Sequence, residues 1–107
     1  MKLVVAITAL FAAAVHAQEY DVLAYLGTDC NGANLGGVEG DGGVSNCEPV
    51  INAQSLLLDT LSTGCTAFTF QTDATCTLAA NHFYEGGSAT GCQKNLDFSY
   101  ILVDCDN

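Results

Sequence analysis

Tyr25-Leu26-Gly27-Thr28-Asp29-Cys30-Asn31-Gly32 carries an apolar run into a Thr-Asp turn and then a cysteine. The same order returns in Phe70-Gln71-Thr72-Asp73 and Cys76, with Ala74-Thr75 as extra residues. Downstream, Cys47 recurs as Cys92, and Ser55-Leu56-Leu57-Leu58 recurs as Ser99-Tyr100-Ile101-Leu102. Self-similarity at a near-constant offset is the mark of a repeated supersecondary unit. The chain therefore divides into two half-motifs, about 20–61 and 65–105.

Each half is read as β-structure. The apolar runs Tyr20 to Leu26, Ser55 to Leu61, Thr66 to Gln71 and Phe98 to Val103 are too short for long amphipathic helices. In the third, Phe68 and Phe70 alternate with Thr69 and Gln71, the period of a half-buried strand. Turn clusters separate the runs: Gly27-Thr28-Asp29, Gly36-Gly37, Gly40-Asp41-Gly42-Gly43, Ser62-Thr63-Gly64 and Gly86-Gly87-Ser88. Short strands with frequent turns predict an all-β sandwich or barrel.

Six cysteines, Cys30, Cys47, Cys65, Cys76, Cys92 and Cys105, form an even set in a short chain and read as a disulfide framework. One bridge closing a loop of about 15 residues stabilises a fold by roughly 3 kcal/mol, comparable with the whole margin of a small domain. If the halves are equivalent, Cys30 pairs with Cys47 and Cys76 with Cys92. Cys65 and Cys105 remain to tie the second half to the end of the chain. No C-x-x-C occurs, and His82 is the one histidine beyond the N-terminal segment, so a zinc site is not expected.

The stretch from Tyr25 to Gly32 resembles the aromatic-x4-aromatic-x-Gly signature of βγ-crystallin Greek-key motifs, with Cys30 at the second aromatic position. Ser55 and Ser99 resemble the serine of that motif whose hydroxyl bonds to the folded hairpin. The second half departs from the pattern: five residues separate Phe70 from Cys76, and Leu78 stands at the glycine position. The chain is also similar to small cysteine-rich proteins secreted by filamentous fungi. Several of those adopt crystallin-like folds, as do certain killer toxins. The resemblance implies a small disulfide-stapled Greek-key β-sandwich of two similar halves and a role as a host-directed effector or an antimicrobial toxin. Hydrophobins fit badly, since no two cysteines here are adjacent.

Residues 1–17 read as an export signal. Lys2 precedes an apolar stretch from Leu3 to Val15, and Val15-His16-Ala17 supplies a small-x-small cleavage pattern. A secreted, extracellular single domain spanning 18–107 is expected. Without Lys2, Lys94 alone stands against twelve carboxylates, a formal charge of −11. Nucleic acid and anionic lipid are bound chiefly through Lys and Arg, so neither is an expected partner, nor is membrane insertion. A monomer is expected.

The sequence offers little for catalysis. His82 is the only candidate base near neutral pH, in Asn81-His82-Phe83-Tyr84, and no G-x-S-x-G nucleophile signature occurs. Neither half has the paired acids and doubled hydroxyls through which some crystallin-type motifs hold calcium, so no metal or cofactor is expected, with calcium held by Glu39, Asp41 and backbone oxygens as the alternative. Glu39 and Asp41, in the Gly-rich stretch Gly36 to Ser45 read as a loop, form one candidate binding surface. Phe83, Tyr84 and Glu85 form the other, with aromatics placed to anchor a partner. The leading expectation is a non-enzymatic effector binding an unidentified host or extracellular target. A toxin against competing microbes and a passive wall-associated protein are the alternatives.

Overall fold

A computed structural model describes residues 18–106; the expected export signal lies outside the described residues. The four apolar runs become β1 (Glu19–Tyr25), β4 (Ser55–Leu61), β5 (Cys65–Phe70) and β8 (Phe98–Cys105). Four more strands lie between them: β2 (Asn34–Asp41), β3 (Glu48–Ala53), β6 (His82–Glu85) and β7 (Gly91–Gln93). They build two antiparallel sheets, in the orders β2-β1-β4-β7 and β3-β8-β5-β6. The first, second and fourth strands of each half share a sheet, and the third crosses over. Thus β3 pairs with β8, and β7 pairs with β4. The fold is an all-β, disulfide-stapled Greek-key sandwich of two similar halves, βγ-crystallin-like in its strand order.

The core follows from side-chain alternation. Tyr20, Val22 and Ala24 of β1 point inward, as do Leu56 and Leu58 of β4, and they meet Ala67 of β5 with Ile101 and Val103 of β8. Val50 and Phe98 complete the cluster. Each fully buried large side chain contributes about 1.5–3 kcal/mol by leaving water. On β5 the alternation selects the face opposite to a hydrophobic-in reading: Thr69 is fully buried, while Phe68 stands half-exposed on the outer face.

Strand exchange also overturns two of the expected disulfides. Cys30 is bridged to Cys92, not Cys47, and Cys47 is bridged to Cys76, so Cys76 does not pair with Cys92. Cys65–Cys105 is formed, between directly opposed residues of β5 and β8. The cause is topological. Cys47 precedes β3, which lies in the sheet of the second half beside Cys76, and Cys92 rides on β7 into the sheet of the first half beside Cys30. The two-fold relation between halves maps the observed pairs onto each other just as it maps the expected ones, so repetition alone could not choose between them.

The Gly36 to Ser45 stretch is not a loop throughout, because β2 runs to Asp41 and pairs with β1 along its length. Its glycines are packing requirements. A Cβ on Gly37 would overlap the Val22 carbonyl, and one on Gly40 would overlap the Tyr20 ring.

Candidate functional site

The two hairpins that follow β1 and β5 turn through a left-handed cysteine, Cys30 (φ 59°) in one half and Cys76 (φ 54°) in the other. In the first half the hairpin folds as the motif requires. Ser55 Oγ accepts the Cys30 amide at 2.9 Å and donates to the Gly27 carbonyl at 2.7 Å. Gly32 lies so close to the Leu26 carbonyl that a Cβ would overlap it. Ser99 does something else: its hydroxyl accepts the amide of Asn52 in β3 at 3.1 Å.

In the second half the hairpin is wound around a carboxylate. Asp73 accepts the Thr75 hydroxyl at 2.6 Å and the Thr75 amide at 3.0 Å on Oδ1, and the Leu78 and Thr77 amides at 2.7 and 2.8 Å on Oδ2. Those donors, the Thr75 hydroxyl foremost, hold its carboxyl well below the usual carboxylate range. Asn81 closes the loop by donating its amide to the Thr69 carbonyl at 2.8 Å. Leu78, at the position of the missing glycine, is thereby fixed with its side chain in solvent, 73% exposed.

Leu78 stands at the edge of an apolar groove on the outer face of the second sheet. The strand registers place Phe83, Phe68 and Leu102 in one cross-strand row. The Phe68 and Phe83 rings are tilted by 41° with centroids 6.4 Å apart. Phe70 and Ala80 complete the lining with Cys76, and the hollow measures about 320 Å³. The neighbouring row is Glu85, Thr66 and Asp104, with Asp104 on the groove wall.

The structure splits the expected Phe83-Tyr84-Glu85 surface by the pleat of β6. Phe83 is 62% exposed over the groove and Glu85 is exposed beside it, whereas Tyr84 packs against the core and burial pushes its phenol up. Glu39 and Asp41 belong to the other sheet. There Glu39 opposes Asp21, Asp41 opposes Glu19, and Asp59 occupies the irregularity in the β1–β4 register. Burial first, and then Glu39 and Asp59, push the Asp21 carboxyl above its ordinary value. The two expected surfaces therefore do not combine. Among the described residues no group of three His, Cys, Asp or Glu is placed to hold a metal ion.

The chain matches no protein family, no curated protein and no solved structure. Sequence reasoning named Phe83 but missed Leu78, Phe68, Phe70 and Leu102. The available signal was Thr69, a β-branched polar residue with aromatics on both sides, which leaves open which face of the strand is buried.

Proposed function

We propose that the protein is a secreted, effector-like binding protein of fungal type that acts on a host or extracellular target without catalysis. The groove on the outer face of β6, β5 and β8 is its contact surface. The observation that carries this reading is the exposure of Phe83 and Leu78 side by side on braced backbone, one in a strand and the other on the Asp73-bound loop. Large apolar side chains gathered in one exposed patch mark interaction sites, and fixed anchors lose little entropy on docking. Three disulfides in so small a domain fit an extracellular setting.

The test is a paired challenge with oxidised protein spanning 18–107 and its Leu78→Asp/Phe83→Asp variant, the fold of each checked by circular dichroism. One arm scores cell death or immune response in infiltrated plant leaves; the other scores growth of yeast and bacteria. A leaf response to the native protein that the variant loses supports an effector acting through the groove. Growth inhibition with silent leaves replaces the effector by a toxin. An equal response to both proteins removes the groove from the function.

A further inference from the structure

We infer that the groove takes a basic amphipathic peptide segment, in which an aromatic or aliphatic anchor enters between Phe83, Phe68 and Leu78 while flanking Lys or Arg side chains reach Asp104 and Glu85. This rests on the binding reading above and names the chemistry of the partner. The apolar row Phe83-Phe68-Leu102 lies directly beside the row Glu85-Thr66-Asp104, so anchor pocket and anionic rim are one strand-residue pair apart. Side chains two residues apart on one face of a strand stand about 7 Å apart. A single side chain and its flanking neighbour in an extended partner span that distance.

Charge selects the partner further. Lys94 is the one Lys or Arg among the described residues, and it stands 3.9 Å from Asp29, beyond β7 on the other sheet. Among the described residues no Lys or Arg therefore borders the groove, and a docking anionic segment would meet uncompensated repulsion. A second copy brings the same charge, −10 over the full sequence and −11 over residues 18–107, and is disfavoured for the same reason.

The experiment is a display selection of random dodecapeptides on the immobilised oxidised protein, followed by titration of enriched peptides against variants. Enriched peptides are expected to share an apolar centre flanked by Lys or Arg. Phe83→Ala with Leu78→Ala should weaken them by at least about tenfold. Asp104→Asn with Glu85→Gln should weaken them about five- to tenfold and lower their salt sensitivity. Asp21→Asn with Glu39→Gln, on the other sheet, should leave them unchanged. Enriched peptides that are neutral or acidic yet lost in the Phe83/Leu78 variant overturn the basic partner while keeping the groove. No enrichment, or binding indifferent to Phe83 and Leu78, overturns both.

Discussion

Ser55 is a small polar side chain with no exposure to solvent, and its hydroxyl is spent on the Cys30 amide and the Gly27 carbonyl. Removing it leaves both half-buried groups without that partner. Ser55→Ala is expected to cost about 1–3 kcal/mol in chemical denaturation, and Ser99→Ala less, because Ser99 is half-exposed and its partner Asn52 is exposed. Two carboxylates respond to acid in opposite senses. The Asp73 carboxyl is held down by its donors, so it contributes stability that is present above the unfolded value near pH 4 and lost as pH falls. The Asp21 carboxyl is pushed up, so the native state takes up its proton first, and stability rises as pH falls through its folded value. Asp21→Asn should therefore stabilise the protein at pH 7 and make no difference at pH 3. Asp73→Asn should destabilise it at pH 7 and flatten the loss below pH 4. Thermal melts across that range measure both.

At the scale of elements, the central and edge strands differ in what they must do. Gly37→Ala drives a Cβ into the Val22 carbonyl and is expected to cost about 1–3 kcal/mol by forcing β2 off β1. Hydrogen exchange should show protection lost at Val38 and Val22 and kept in the second sheet. The strands legible in the sequence, β1, β4, β5 and β8, are the four central ones, paired on both sides and rich in apolar side chains. The four that were not legible are the four edges. There β2 carries four charged or glycine residues in its last five positions, β3 carries Pro49 and the left-handed Asn52, and β6 and β7 are only four and three residues long. Glycine, proline, charge and brevity are what keep an edge from recruiting another strand, and the same features erase its periodicity. The groove was hidden for a related reason. Phe68 looks like a core residue, and only its register with Phe83 and Leu102 shows that it faces outward, while Phe70 lines the same groove although it is buried.

Over the whole molecule the two outer faces differ in kind. The first sheet carries Glu19, Asp21, Glu39, Asp41 and Asp59 toward one end, and the second carries the apolar groove with a narrow acidic border. Adding salt should therefore stabilise the fold by screening the first face, with the midpoint of urea unfolding rising between low and physiological ionic strength and the rise reduced in Asp21→Asn. The exchange of β3 and β7 has a consequence for survival among proteases. Cys30–Cys92 and Cys47–Cys76 both bridge the halves, and Cys65–Cys105 reaches to the end of β8. Any one backbone cut between Cys30 and Cys105 therefore leaves its two pieces joined. A clip between Cys47 and Cys65, as at Ser62-Thr63-Gly64, should add the mass of one water to the intact chain without releasing a fragment until a reductant is added. Under the pairing of Cys30 with Cys47 and Cys76 with Cys92, the same clip would set the two halves free. Non-reducing mass spectrometry after limited digestion distinguishes the two, and a nicked protein whose pieces stay joined is a domain that a protease can wound but not dismantle in one stroke.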